Sequence, residues 1–207
     1  MGLFELIGRQ AQHPEGLLGR IAVRVMGKAT AGHVRWTAGL LGPRDDDHVL
    51  DVGFGAGASV ALLASRVPRG QVTGVEPSRA AIEVAARRNA AAIAAGSVRL
   101  VQAAGGALPF SDASFDKACS VDTVYVIEDP GGLFRELRRV LRPGGLAAVG
   151  FPERERFLRL QLTRARGFYP HRLADLEAAF RDAGFANVRV ERNERLHTGG
   201  VCLLGTG

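Results

Sequence analysis

The chain has 207 residues, 46% hydrophobic and 23% charged, a composition typical of one globular domain with at most a short appendage. This balance excludes a disordered or collagen-like chain, and the presence of only two cysteines excludes a disulfide scaffold. No apolar run approaches the roughly 20 residues that span a bilayer, and the start of the chain lacks the apolar core of a signal peptide. We therefore expect a cytoplasmic protein in which Cys119 and Cys202 are buried, reduced thiols.

The net charge of +6 is unevenly distributed and depends almost entirely on arginine. Only Lys28 and Lys117 among the 27 basic residues are lysines, and residues 135–172 hold ten arginines against three glutamates. Such a segment favours an anionic small molecule, a membrane surface or nucleic acid, or it is a solvated face of an arginine-rich chain. Few aromatic residues interleave with these arginines, so nucleic acid is an unlikely partner.

Residues 1–46 carry apolar side chains at helical spacing and are predicted to form two short amphipathic helices. The two patterns cover residues 3–7 and 17–26, with proline and glycine between them. Because this region precedes the alternation of strands and helices, we interpret it as a helical lid over the carboxyl edge of a sheet formed by residues 47–207. A cap that only covers apolar surface is an equally good interpretation.

From His48 onward, short β-rich runs alternate with helical patterns. Strands are predicted at 49–52, 72–75, 97–102, 117–121, 146–151, 187–191 and 201–204. Helices are predicted at 60–67, 78–95, 130–141 and 171–183. This alternation favours an α/β fold, a Rossmann-like doubly wound and mostly parallel sheet of seven strands.

A glycine-rich turn follows the first predicted strand and precedes a helix, with the sequence Asp51-Val52-Gly53-Phe54-Gly55-Ala56-Gly57. Its glycines let the backbone approach a ligand, and the start of the helix exposes backbone amides. Glu76 ends the next strand, where a carboxylate can accept hydrogen bonds from both ribose hydroxyls. These features predict a cofactor that contains adenosine. They leave a nicotinamide dinucleotide open, because Gly53, Gly55 and Ala58 satisfy its looser glycine pattern.

Two downstream segments separate these alternatives. The first is Leu108-Pro109-Phe110 with Ser114-Phe115-Asp116, and the second is Arg139-Val140-Leu141-Arg142-Pro143-Gly144-Gly145. Together they resemble the class I S-adenosylmethionine-dependent methyltransferases, over residues 47–151 by motif and 171–204 by the order of elements. The front of the chain, Ile7-Gly8-Arg9-Gln10 with residues 14–20, is similar to a small-molecule branch of the ubiquinone/menaquinone-biosynthesis type.

The resemblance implies a binding site for S-adenosylmethionine. The methionine end would lie on Asp51 and the glycines, the ribose on Glu76 and Pro77, and the adenine near Ala104. The implied cofactor-binding residues are Asp51, Gly53, Gly55, Gly57, Glu76, Pro77, Ala104, Gly105, Val121 and Asp122. Relatives usually have an aspartate at the position of Ala104, so one hydrogen bond to the adenine amino group is either missing or comes from the backbone or another side chain of this chain.

The resemblance also implies in-line transfer of a methyl group to a small-molecule acceptor. Alignment away from water supplies much of the acceleration, and a base is needed only if the acceptor loses a proton. The candidate catalytic residues are Tyr125, after the fourth strand, and His13 in the lid. No spacing of His, Cys, Asp or Glu predicts a metal, so no metal is expected. For His33 the sequence identifies no partner.

Two alternatives remain open on the sequence. The alanine at position 104 and the lack of a convincing base fit a non-catalytic cofactor-binding protein on the same fold. The glycine pattern alone allows an NAD(P)-dependent oxidoreductase, which is the remoter alternative. The six arginines between Arg154 and Arg172 border the expected acceptor site, so the small-molecule acceptor is expected to be anionic.

Overall fold

A computed structural model describes residues 16–160, 163 and 167–207. The strands are β1 His48–Val52, β2 Gln71–Glu76, β3 Val98–Gln102, β4 Phe115–Val121, β5 Leu141–Phe151, β6 Ala186–Asn193 and β7 Gly200–Thr206. They form one seven-stranded sheet in the order β3-β2-β1-β4-β5-β7-β6. Neighbours from β3 to β5 are parallel, whereas β7 lies antiparallel between β5 and β6. The Rossmann-like, mostly parallel sheet that the sequence predicts is confirmed.

Helices cover both faces of this sheet. They are α1 Gly16–Ala29, α2 Ala31–Leu41, α3 Ala58–Arg66, α4 Arg79–Arg88, α5 Ala90–Ala94, α6 Gly131–Val140, α7 Arg154–Phe157 and α8 Leu173–Asp182, with a 3₁₀ turn at Val124–Val126. Two predictions differ from this arrangement. The helix predicted at 78–95 is divided at Asn89, whose side-chain amide donates to the carbonyl oxygens of Gly57 and Ala85. Strand β5 begins five residues earlier than predicted, because Leu141 already pairs with Phe115 ahead of a bulge.

The sequence analysis did not identify α2, which packs on the sheet and not merely over its edge. Thr37 and Leu41 are fully buried, and a Cβ on Gly150 of β5 would collide with the Thr37 side chain. The predicted apolar pattern at 17–26 lies within α1, and the one at 3–7 lies outside the described residues. The division at residue 46 stays a prediction.

The two segments that carry the family resemblance are joined by hydrogen bonds from side chains of α6. The Arg139 guanidinium donates to the carbonyl oxygens of Leu108 and Phe110 and to the carboxylates of Asp112 and Glu136. The Glu136 carboxylate in turn accepts a hydrogen bond of 2.6 Å from the Leu108 backbone amide. These motifs therefore fix the connection between β3 and β4, and none of these five residues lines the main cavity described below.

We expect Arg139→Lys to lower the free energy of unfolding by about 1–2 kcal/mol, because lysine lacks the planar fork that reaches four partners at once. The side chain is 31% exposed, which limits the loss. Urea denaturation checks the value, with Arg69→Lys as the control, since Arg69 is 69% exposed and pairs only with Asp45 among the described contacts. Equal stability of the two variants would contradict the role of the fork.

Candidate cofactor and acceptor site

The strand order reverses at β1, which lies between β2 and β4, so the loops after β1 and β4 lie side by side. Ligands bind at such a switch point in open α/β sheets. A cavity of about 170 Å³ occupies this position. Its wall is formed by Val23, Gly27, Thr30, Val34, Gly53, Phe54, Gly55, Ala56, Ala58, Ser59, Glu76, Pro77, Ala81, Val121, Asp122, Thr123, Tyr125 and Val126.

The glycine turn forms the floor of this cavity. Gly53 has a φ of +80° and its amide donates to the Val75 carbonyl oxygen at 2.8 Å. A Cβ on Gly53 would collide with the Thr123 side chain, so the loops after β1 and β4 touch at this point. Gly55 has a φ of +52° and a Cβ there would meet no atom within 4 Å. The turn therefore leaves open space in which a ligand can approach the backbone.

Glu76 stands at the end of β2 and is held by two backbone amides. Its Oε2 accepts from the Gly55 amide and its Oε1 from the Ser78 amide, each at 3.1 Å. Burial raises the pKa of this carboxyl, while the two amide hydrogen bonds oppose the shift. Each carboxylate oxygen keeps a second lone pair, so the fixed group can accept from two hydroxyls of a ribose.

Asp51, beneath the turn, has one carboxylate oxygen without a partner. The residue is 1% exposed, its Oδ1 accepts from the Cys119 thiol at 3.6 Å, and its Oδ2 has no hydrogen-bond partner. Burial raises the pKa of Asp51 to about 6, and the charge of Glu76 adds to the shift while Ser59 and Cys119 oppose it. A buried orphan carboxylate oxygen is expensive in free energy and suits a cationic donor such as an α-amino group. These residues fit a cofactor with a ribose at one end and an amino acid at the other.

His33 on α2 has partners, contrary to the sequence interpretation. Its Nδ1 lies 2.7 Å from Oδ1 of Asp122, and its Nε2 lies 2.8 Å from the Gly199 carbonyl oxygen. Asp122 follows β4 with a φ of +57°, and its Oδ2 is buried without a partner. The sequence separation of 89 positions between His33 and Asp122 explains why sequence patterns gave no signal of this pair.

Tyr125 lines the cavity as part of an aromatic cluster. The residue is 9% exposed, and its ring centroid lies 4.4 Å from that of Phe157 and 6.0 Å from that of Phe168. Burial raises the pKa of Tyr125 well above its usual value of 10, and the charge of Asp122 adds to this shift. A phenolate is therefore scarce at neutral pH. His13 lies outside the described residues.

The structure brings together most of the predicted cofactor residues. Those in the cavity wall are Gly53, Gly55, Glu76, Pro77, Val121 and Asp122. Gly57 instead packs at the start of α3, where a Cβ would collide with Ala85 and Asn89. Ala104 and Gly105 are not part of the wall. The wall residues that sequence reasoning did not name include Val23 and Gly27 of α1, Val34 of α2, Ser59 of α3 and Ala81 of α4, which carry no motif.

The described residues carry neither a metal-ligand cluster nor a membrane-spanning helix. In residues 16–160, 163 and 167–207, no group of three or more His, Cys, Asp or Glu side chains could hold a metal ion. No helix in the same part of the chain is long and apolar enough to cross a membrane.

Comparison with known proteins adds a family to this geometry. Residues 50–149 match the family described as "Methyltransferase domain". The chain is 29% identical over 157 residues to the uncharacterized methyltransferase YdaC of Bacillus subtilis, which covers 76% of this chain and 81% of YdaC. It is 38% identical over 109 residues to the O-methyltransferase cnsE of Penicillium expansum, which covers 53% of this chain but 39% of cnsE.

The fold is also that of solved methyltransferases. The structure of a SAM-dependent methyltransferase from Aquifex aeolicus superposes with a TM-score of 0.67 at 20% identity, over 84% of this chain and 88% of that one. The match over residues 50–149, the shared fold and the carboxylates around the cavity agree with one another. They show a methyltransferase domain at residues 50–149 on the fold of the class I S-adenosylmethionine-dependent methyltransferases, with S-adenosylmethionine as its methyl-donor cofactor.

Proposed function

We propose that this chain transfers the methyl group of S-adenosylmethionine to a hydroxyl oxygen of a small-molecule acceptor. The observation that carries the proposal is the cavity at the switch point, with the open glycine turn and the fixed Glu76 carboxylate in its wall, and with the orphan oxygen of Asp51 buried in β1 just before that turn. The name of cnsE, an O-methyltransferase, supports an oxygen acceptor. Residues of α1 and α2 form part of the cavity wall and limit the space that a bound cofactor would leave for the acceptor, which suits a small molecule.

The residues in and beside the cavity have different roles in this proposal. Glu76 in the wall would bind the ribose hydroxyls of the cofactor, and Asp51, buried outside the wall, would bind its amino end. When bound, S-adenosylmethionine supplies an electrophilic methyl group on a sulfonium. Val121 and Asp122 would lie beside that group, and the apolar side chains of Val23 and Val34 would exclude water from it.

Several predicted residues take supporting roles in this proposal. Gly57 holds the end of the glycine turn, and Ala104 with Gly105 borders the adenine. The raised pKa of Tyr125 keeps its phenol neutral, and a neutral phenol is a poor base. We therefore assign Tyr125 to an aromatic wall beside the acceptor. His13 remains a predicted catalytic residue, and residues 1–46 remain a predicted lid that gates the acceptor.

The proposal extends to the charge of the acceptor and to the location of the protein. A cleft of about 240 Å³ is lined by Arg154, Arg172 and Arg192 together with two glutamates, and it supports an anionic group on the acceptor. Free, buried thiols at Cys119 and Cys202 support a cytoplasmic location.

Calorimetric titration with S-adenosylhomocysteine tests the cofactor site. We expect Glu76→Ala to weaken binding by about 1–3 kcal/mol, or about 5–150-fold, because two hydroxyls lose a charged acceptor. Glu177→Ala is the matched control, since Glu177 lies on α8 outside the cavity wall and should leave the affinity unchanged. Absence of binding by the wild type at high micromolar protein would overturn the proposed function. Binding of NADH in its place would favour the oxidoreductase.

A further inference from the structure

The side chains of His33 and Asp122 form a buried pair at the cavity wall. They are 8% and 7% exposed, and their contact joins α2 to the end of β4. The pair is held at both ends, because the Gly199 carbonyl oxygen and the Thr198 hydroxyl lie 2.8 Å and 3.2 Å from Nε2 of His33. The Asp122 carboxylate therefore has a fixed orientation.

The contacts of the imidazole favour its protonated form, although the Thr198 hydroxyl beside Nε2 can also donate to a neutral ring. A carboxylate oxygen faces Nδ1 and a carbonyl oxygen faces Nε2, and neither of these atoms can donate a hydrogen bond. Only the protonated ring has an N–H on both nitrogens. The pKa of His33 is raised accordingly, since the hydrogen bond and the charge of Asp122, with the Gly199 carbonyl, outweigh the large opposing effect of burial.

The second oxygen of the same carboxylate has no partner. Oδ2 of Asp122 is buried, and the residue borders the cavity beside Val121 and Thr123. Burial raises the pKa of Asp122, which makes this group a stronger base than an exposed aspartate, although His33 opposes the shift. The other titratable group that the structure couples to Asp122 is Tyr125, which stays neutral. Beside Oδ2 of Asp122 the cavity therefore favours a neutral hydrogen-bond donor and repels an anion.

We propose that Asp122 is the group that receives the proton from the acceptor hydroxyl, and that His33 is the positioning residue that orients Asp122. This inference rests on the proposed function. It restricts the acceptor to a small molecule whose reacting hydroxyl is un-ionised when it binds. Any anionic part of the acceptor lies away from Asp122.

In the proposed methyl transfer, the proton and each electron pair have a defined destination. The acceptor oxygen forms a bond to the methyl carbon with a lone pair, and its proton passes to Oδ2 of Asp122. The carbon–sulfur bond breaks with its electron pair on sulfur, which leaves a neutral thioether and an oxygen-methylated acceptor. His33 keeps its proton throughout.

Two phenols that differ in acidity test the role of Asp122. The probes are 4-methylphenol, which is un-ionised at neutral pH, and 4-nitrophenol, whose hydroxyl is substantially ionised there. With labelled S-adenosylmethionine, we expect Asp122→Asn to lower kcat for 4-methylphenol about 100-fold or more, and for 4-nitrophenol less than about tenfold. Asparagine has the same shape and tolerates the positive φ, so S-adenosylhomocysteine should bind within about threefold of wild type.

Variants of nearby groups separate positioning from folding. Glu128→Gln is the control, because Glu128 is an exposed residue on the same loop. His33→Leu should lower kcat about tenfold with little change in KM, and His33→Asn should recover part of the loss, since its amide can donate from the position of Nδ1.

Nuclear magnetic resonance of the histidine rings provides a readout that needs no turnover. The His33 ring, assigned with the His33→Leu variant, should deprotonate at lower pH in Asp122→Asn than in wild type, because its charged partner is gone. An unchanged titration would overturn the assignment of the pair.

The outcomes of the kinetic test are equally decisive. A similar effect of Asp122→Asn on both phenols would overturn the proposal. Transfer to thiophenol but to neither phenol, or to none of them, by a protein that binds S-adenosylhomocysteine would also overturn it. Failure of the wild type to bind S-adenosylhomocysteine would instead reject the proposed function, so the two failures are distinguishable.

Discussion

Gly53→Ala should lower the free energy of unfolding by about 2–4 kcal/mol and weaken S-adenosylhomocysteine binding at least tenfold. The φ of +80° costs about 1–2 kcal/mol for any residue with a Cβ. The new methyl group would also lie 2.9 Å from Cγ2 of Thr123 and closer still to its hydroxyl. The loop after β4 must then move, and it carries Asp122 with it.

Gly144→Ala is the matched control for this variant. Gly144 has a φ of +77° with no atom within 4 Å of a new Cβ, and it lies outside the cavity wall. It should therefore show the backbone cost alone, about 1–2 kcal/mol, with unchanged ligand affinity. Urea denaturation and calorimetry measure both quantities. Equal affinities of the two variants would show that the contact between Gly53 and Thr123 does not position the site.

Asp51→Asn is expected to stabilise the ligand-free protein and to weaken its ligand binding. The carboxylate is buried with one oxygen unpartnered and has a pKa of about 6, so its ionised form costs on the order of 1–3 kcal/mol at neutral pH. Asparagine removes that charge at the same volume. The amino end of S-adenosylhomocysteine then loses a charged acceptor, which should weaken binding about 10–150-fold.

The difference in stability between Asp51→Asn and the wild type is expected to depend on pH, with a sign that follows from the raised pKa of Asp51. Because the folded-state pKa of Asp51 is raised, the folded protein binds more protons than the unfolded chain between about pH 4 and 6. Wild-type stability from this group falls as pH rises through that window, whereas the variant lacks this contribution. The stability gap should therefore open between about pH 4 and 6 and remain constant above it. A variant less stable than wild type at pH 7.5 would contradict the role of the orphan oxygen.

The sequence predicts well what depends on neighbouring residues. The alternation after His48 determines the order of elements, and the strand–turn–helix at residues 51–57 places backbone amides at a ligand site without any knowledge of tertiary contacts. Glu76 was recognisable because its position at the end of β2 follows from parallel strands whose carboxyl ends share one edge.

What the sequence could not predict depends on distant contacts. The partner of His33 is 89 residues away, and the turn at Asp122 requires a positive φ that a non-glycine residue does not announce. Helix α2 was missed because its buried face includes the polar residues His33 and Thr37, and because Thr37 packs against Gly150, where no side chain intervenes. Arg139 looked like part of a functional motif, yet its contacts hold a loop.

The described side chains of the two N-terminal helices that line the cavity belong to different core clusters. α2 belongs to a main core cluster through Ala38 and Leu41, whereas the described buried anchor of α1, Val23, lies in a small separate cluster with Ala56, Ala81 and Val84. Opening a wall costs free energy in proportion to the apolar contacts that must be broken. We therefore expect that displacement of α1 would expose the cavity while α2 and the His33–Asp122 pair stay in place, so that small molecules could exchange without loss of the groups that orient them.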